Sequence, residues 1–360
     1  MRRIKKILWA FLIFLLVFLA AGGIYTYQFI SSGLPQYEKR TTLQGVQEEI
    51  DILHDERGVP HVQSSKTKDL IFAQGYIHAR DRLWQMELQR RVVQGRLSEI
   101  FGEDFLETDK HLRRIGLSRI AKRIIEVTSS ESTELLESYA QGVNRYIRNH
   151  PLPVQFRLLS FKPAPWTPKD SAGIVSLMAY NLGRNWRSEA LRQGLREHLS
   201  ERLYQEILPP YEAWDTPSVL PPSKGSRRKK ITRLLEDTDL RGWQLPSTGS
   251  NSWVVSPSLS STNTTVLAND PHLSLGLPCI WHEISLDSEE GLEAYGWGIP
   301  GAPGVVIGQN KRIAWGMTNV GDSQDLFLEK RKRDDPHLFQ YDGQWERARV
   351  REEKIQVKNR

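Results

Sequence analysis

Residues 7–30 carry no charge, and from Ile7 to Ala21 they are almost wholly apolar. No other feature restricts the fold as much. As a helix, an uncharged run of this length spans the hydrocarbon core of a bilayer, which takes about 20 residues. Arg2, Arg3, Lys5 and Lys6 lie on its N-terminal side. Basic flanks stay in the cytoplasm, so the expectation is a single-pass helix over residues 1–30 in the cell membrane, with the bulk of the chain outside. A cleaved signal peptide is the rival reading. Leu19-Ala20-Ala21-Gly22 is a poor small-x-small site, and the run continues through Ile24, Tyr25, Tyr27 and Phe29. These points favour an uncleaved anchor.

The remainder reads as globular: charged residues make up 26% of the 360-residue chain and hydrophobic ones 39%. The net charge of +6 is patchy. Beyond the N-terminal cluster it sits in Lys224, Arg227, Arg228, Lys229, Lys230 and Arg233, with no acid among them. Elsewhere the charges nearly balance, so no nucleic-acid partner is expected. The one cysteine, Cys279, cannot form an internal disulfide and reads as a small buried hydrophobe on a strand.

Taken in order, residues 44–61 read as two short strands around an Arg57-Gly58 turn. Helical periodicity follows at 67–100, 109–127, 133–148, 169–182 and 188–208, with Pro-rich connections. His78, Arg80 and Asp81, on the first of these, read as a solvated or salt-bridged face. From 211 to 249 the periodicity fades around Pro217, Pro221, Pro222 and the basic cluster, as in a linker or removable spacer. Candidate strands then follow at 251–255, 264–267, 280–285, 292–297, 305–307 and 312–317, the last two joined by a turn at Gly308-Gln309-Asn310-Lys311.

At the border of spacer and strands stands Pro246-Ser247-Thr248-Gly249-Ser250-Asn251-Ser252-Trp253. On these residues alone a polar loop before a strand is the simpler reading. The other reading is chemical. A serine hydroxyl is a weak nucleophile that needs a base. Cutting the chain before Ser250 would supply one, because a free α-amine titrates at about 7.7–8.0.

Motifs on both sides decide between these. They include Asp55-Glu56-Arg57-Gly58-Val59-Pro60-His61, Ala73-Gln74-Gly75-Tyr76-Ile77-His78-Ala79-Arg80-Asp81-Arg82-Leu83-Trp84-Gln85-Met86-Glu87 and Gln94-Gly95-Arg96-Leu97-Ser98-Glu99. Further on come Tyr139-Ala140-Gln141-Gly142-Val143-Asn144, Gly249-Ser250-Asn251-Ser252-Trp253, Leu267-Ala268-Asn269-Asp270-Pro271-His272-Leu273 and Trp315-Gly316-Met317-Thr318-Asn319. Over residues 49–327 the chain resembles the penicillin acylase (penicillin amidase) family of N-terminal-nucleophile hydrolases.

The resemblance implies an α+β fold, an αββα sandwich built from two pieces of one self-cleaved precursor. Residues 31–225 would form the mostly helical α chain, 226–249 the spacer, and 250–360 the start of the β chain. The pieces would remain together as an α/β heterodimer. Ser250 would attack the Gly249 carbonyl and free its own amine. It would then cleave a small-molecule acyl amide, such as a β-lactam or an N-acyl amine, through an acyl-enzyme. The Asn319 N–H would donate to the oxyanion, the His272 imidazole would position or polarise the serine end, and Asn251 would help orient the amine. Glu189, Asp322, Gln324 (through its carbonyl) and Asp325 would hold a structural Ca²⁺.

The family's β chain is several times longer than the stretch after Ser250. The expectation is therefore a truncated frame or a fragment, with residues 354–360 a strand cut mid-sheet. A membrane-tethered binding or remnant protein without chemistry is the competing function. An ordinary Ser-His-Asp hydrolase is disfavoured, because no Gly-x-Ser-x-Gly elbow surrounds Ser250.

Overall fold

The computed structural model describes residues 2–35, 37–38, 40–183, 185–208, 249–273, 276–319 and 330–359. Most of the expected spacer, with its basic cluster, lies outside the described residues. The helices are α1 (Arg2–Ser31), α2 (Thr67–Gln94), α3 (Ser98–Phe101), α4 (Leu106–Ile115), α5 (Leu117–Val127), α6 (Ser130–Asn149), α7 (Val154–Leu158), α8 (Pro168–Leu182), α9 (Asn185–His198) and α10 (Glu201–Ile207). The first strands are β1 (Arg40–Gln44), β2 (Glu49–His54), β3 (Pro60–Ser64), β4 (Ser250–Val255), β5 (Val266–Pro271) and β6 (His282–Ser288). They are followed by β7 (Glu293–Gly298), β8 (Ile307–Gln309), β9 (Ala314–Trp315), β10 (Leu338–Tyr341) and β11 (Gln344–Arg347). The chain forms two compact units, residues 1–93 with 117–175 and 275–316, and residues 94–116 with 176–274 and 317–360.

The first unit holds one seven-stranded sheet, ordered β1-β2-β3-β6-β7-β8-β9. Only β3 and β6 run parallel; the other neighbours are antiparallel. Gly58, at φ +79°, makes the β2–β3 turn that the sequence predicts. Ile50, Ile52, Val62, Ile284 and Leu286 alternate onto the buried face. The turn between β8 and β9 is likewise as expected: the Asn310 carboxamide accepts the N–H groups of Arg312 and Ile313, an Asx turn.

Helix α2 is buried along most of its length, charges included. His78 is fully buried and Arg80 8% exposed, so of the two readings the salt-bridged one holds for Arg80 and Asp81 and the solvated one does not. Each charge has a partner. The Asp69 carboxylate accepts the backbone N–H groups of Val46, Gln47 and Glu48. Glu87 pairs with Arg90 and Arg91, and Arg80 pairs with Asp81. The His282 imidazole bonds the other Asp81 oxygen at 2.9 Å. Burial pushes the Asp81 carboxyl up, but the bonds from His282 and Arg80 outweigh it and hold the group well below the carboxylate range. Gly75 and Gly142 lie where α2 and α6 meet. A methyl on Gly142 would enter the envelope of the Phe72 carbonyl, and one on Gly75 that of the Tyr139 carbonyl.

His78 Nδ1 is 2.7 Å from the Tyr139 hydroxyl, which accepts the Gly301 N–H at 3.0 Å. Burial lowers the imidazole well below its ordinary value; His282 and Arg82 act in the same direction and Asp81 against it. The unfolded chain therefore takes up a proton near pH 6.5 that the folded chain refuses, and stability falls as pH drops below that point. Burial also lowers His54 and His150, which adds to the slope. The melting temperature should fall from pH 7.5 to pH 5.5. His78→Asn, which does not titrate, should flatten the slope, and equal slopes in the two proteins would exclude this role for His78.

Helix α1 has no buried residue, and its most apolar window has a mean hydropathy of 2.7. Its C-terminal end is tied to α7: the Arg157 guanidinium donates to the Phe29 carbonyl and the Ser32 hydroxyl and lies over the Phe29 ring.

The second unit carries two hairpins, β4–β5 and β10–β11. The β10–β11 turn is Asp342-Gly343, both at positive φ. The expected helices at 109–127 and 188–208 are each two helices. The first is split by left-handed Gly116 and the second by Ser200, which caps α10. Residues 351–357 form no strand, contrary to the expected cut strand. Instead the Lys358 N–H donates to the Ser98 carbonyl, and Arg113 donates to the Lys354 carbonyl. Cys279, expected on a buried strand, is exposed and precedes β6. The expected α+β content is present, and β4 has a single strand neighbour among the described residues.

Candidate active site

Strand β4 begins at Ser250 and pairs with β5 across its whole length, Ser250 opposite Pro271 and Val255 opposite Val266. The residue before it, Gly249, has φ +117°, a conformation L side chains rarely adopt. The His272 N–H donates to the Gly249 carbonyl at 3.1 Å. This rung makes Gly249–His272 a hydrogen-bonded pair. By alternation Ser250–Pro271 is a non-hydrogen-bonded one. Proline has no N–H to give, and it stands where the ladder asks for none.

The Ser250 hydroxyl donates to the same Gly249 carbonyl oxygen at 2.7 Å. One carbonyl, that of the bond expected to break, thus receives two donors. Both draw electron density towards its oxygen, which prepares its carbon for attack. The hydroxyl rests on the oxygen rather than over the carbon, so attack requires a rotation about the serine side chain.

Pleating divides the remaining residues between two faces. Asn251, opposite Asp270, shares a face with His272. There the His272 imidazole bonds the Asp270 carboxylate at 2.8 Å and meets the Asn251 carboxamide at 3.4 Å. Ser250 and Asn269 belong to the other face. In the uncleaved chain, then, His272 reaches the serine end through its backbone N–H, while its ring is held against Asp270 and Asn251.

Asn269, half-buried, spans two chain segments. Its Nδ2 donates to the Asn251 and Met317 carbonyls and its Oδ1 accepts the Met317 N–H, all at 3.1 Å. Two residues on, the Asn319 carboxamide donates to the Leu182 carbonyl at 2.9 Å, satisfying a helix-end acceptor of α8. Asn269 and Asp270 have no role in the sequence reading, although both lie in one of its motifs. Polar side chains at successive positions of the strand facing the nucleophile were the available signal.

Glu189 is half-buried on α9, and its expected co-ligands Asp322, Gln324 and Asp325 lie outside the described residues.

Residues 49–360 match the family model described as penicillin amidase. An acyl-homoserine lactone acylase, QuiP, of Pseudomonas aeruginosa is 32% identical over 91% of this chain and 40% of its own length. The penicillin acylase 2 proenzyme of Pseudomonas sp. (strain SE83) is 28% identical, over 91% of this chain and 44% of its own length. The penicillin G acylase of Escherichia coli is 28% identical, over 86% and 44%. A solved penicillin G acylase from Alcaligenes faecalis, 27% identical, aligns 98% of its chain with 48% of this one at a TM-score of 0.41. The chain thus spans about two-fifths of the length of the curated relatives it matches. With the family model matched from β2 to the last residue, the chain belongs to the penicillin amidase family.

Proposed function

We propose that this chain carries the nucleophile of a self-processing acylase, a hydrolase of linear amides. The supporting observation is the Gly249 carbonyl, held by the Ser250 hydroxyl and the His272 N–H on a backbone at φ +117°. The Ser250 Oγ attacks the Gly249 carbon, its proton passes to the departing amide nitrogen, and an ester links the two residues. Water hydrolyses the ester, giving a Gly249 carboxylate and a free Ser250 amine. That amine then takes the Oγ proton as Oγ attacks a substrate carbonyl, and passes it to the leaving amine. Water releases the acid from the acyl-enzyme. The Asn319 N–H serves the oxyanion. The two pieces stay together as a heterodimer.

The substrate class is an N-acyl amine. N-acyl homoserine lactones come first, because relatives bearing that name reach 32% identity against 28% for the penicillin acylases. The test is hydrolysis of a panel of acyl homoserine lactones, penicillins and acyl anilides by purified protein, with intact-mass analysis of the chain. A single uncut mass and no hydrolysis across the panel would favour the binding-protein reading.

Two further proposals accompany this one. Helix α1, with no buried residue and no charge after Lys6, anchors the protein with its basic end inside. Protease added to intact cells should then digest the body and spare the N-terminus, and protection of the whole chain would exclude it. Glu189, Asp322, Gln324 and Asp325 supply the oxygen donors that suit Ca²⁺. Metal analysis should find calcium in the native protein, with a lower melting temperature after chelation. An Asp325→Ala protein whose melting temperature matches the native one and still falls as far on chelation would count against the site.

A further inference from the structure

We infer that Asn269 is the positioning residue that fixes the segment leading to Asn319 on the nucleophile's face of the β4–β5 hairpin. The inference rests on the reading of Ser250 as nucleophile. An N-terminal nucleophile has no upstream residues to align it with its oxyanion donor. The donor segment must therefore be tied to the nucleophile's strand by something else.

The geometry supplies the tie. Asn269 lies opposite Ser252, so its side chain leaves the hairpin on the face that carries Ser250. Its carboxamide closes a two-bond ring with Met317, accepting that residue's N–H and donating to its carbonyl. The same Nδ2 also donates to the Asn251 carbonyl, one residue from Ser250. All three partners are backbone groups, so the tie reads position rather than side-chain identity. The carboxamide is the one short side chain that offers a donor and an acceptor side by side. Aspartate keeps the acceptor but sets a carboxylate against two carbonyl oxygens. Alanine leaves the Met317 amide without its partner.

The test is Asn269→Ala, with Asn269→Ser in its place should the alanine variant not accumulate. Amide exchange is followed in the uncleaved Ser250→Ala background, and kinetics in the processed enzyme. Exchange at Met317 should speed by at least about tenfold while the β4–β5 ladder amides keep their protection. In the enzyme kcat should fall about 10- to 100-fold with KM nearly unchanged, because a misplaced donor weakens the transition state and spares the ground state. Asn269→Asp should be no faster than the alanine variant.

Unchanged protection at Met317 overturns the inference. Equal loss along the whole hairpin overturns it too, because Asn269 would then hold the strands and not the segment. So does selective loss at Met317 with kcat unchanged. Cleavage that persists in Ser250→Ala overturns instead the nucleophile reading on which the inference rests.

Discussion

Ser250→Ala should leave the chain in one piece and without hydrolytic activity. In the proposed mechanism the hydroxyl acts twice, first on the carbonyl beside it and then on substrate, and alanine would remove both steps at once. Among the described residues no other group is placed to substitute. The His272 imidazole is held by Asp270 and Asn251 on the opposite face of the pleat, and its N–H to Gly249 is a donor without nucleophilic character. Loss of a covalent nucleophile costs about 10⁴-fold or more in rate, beyond the range of ordinary turnover assays. Ser250→Cys retains a nucleophile of different size and acidity and should still cut, more slowly. Intact mass is the readout: the unsubstituted protein gives a piece beginning at Ser250, and the alanine variant gives none. Cleavage at the same bond in the alanine variant would remove Ser250 from the mechanism.

The second large effect concerns the core. Gly142→Ala should destabilise the first unit by about 2–4 kcal/mol. At that crossing a methyl would sit inside the Phe72 carbonyl and 2.9 Å from the Tyr76 nitrogen. These are backbone atoms of a helix and cannot turn aside as a side chain can. The helices must move apart, and with them the fully buried Leu70, Ala73, Ile77, Tyr139 and Val143. The better helix propensity of alanine returns only about 1 kcal/mol. Gly194→Ala is the control. Gly194 lies within α9, and a methyl there meets nothing within 4 Å. That substitution should be neutral or slightly stabilising. A Gly142→Ala protein that melts with the unsubstituted one would mean that the helices are not in backbone contact.

What the sequence disclosed and what it concealed follow from how local each signal is. The Gly58 turn, the Asn310 turn and the start of β4 at Ser250 depend on a few neighbouring residues, and each stands where the residues suggested. Gly116 is as local a signal, although the expected helix ran through it: a glycine after a basic last turn marks a helix end, and it closes α4. Equally local is Asp342-Gly343, a hairpin signal absent from the strand expectations. Only some of the charges of α2 have local partners. Glu87 meets Arg90 and Arg91 one turn along the same helix, but Asp69 is satisfied by the loop at Val46–Glu48, more than 20 residues away. Ile355 and Val357 alternate as a strand would, yet the flanking Lys358 N–H and Lys354 carbonyl are taken by Ser98 and Arg113, which lie far away in sequence. At the site, Ser250 and His272 were legible as types. The division of labour between the two faces was not, because it depends on the register of β4 against β5.

That register also fixes what happens to order when the chain is cut. Gly249 contributes only the outermost rung to the ladder, and the pairs from Asn251 to Val255 remain. Chain ends usually fray, but here the end appears where a strand is already zipped from within. Ser250 itself belongs to a non-hydrogen-bonded pair, so its nitrogen faces away from β5. That edge of β4 has no strand beside it among the described residues. The proposed scission would therefore give a terminus with the order of a chain interior, its new amine on the edge of β4 that faces away from β5.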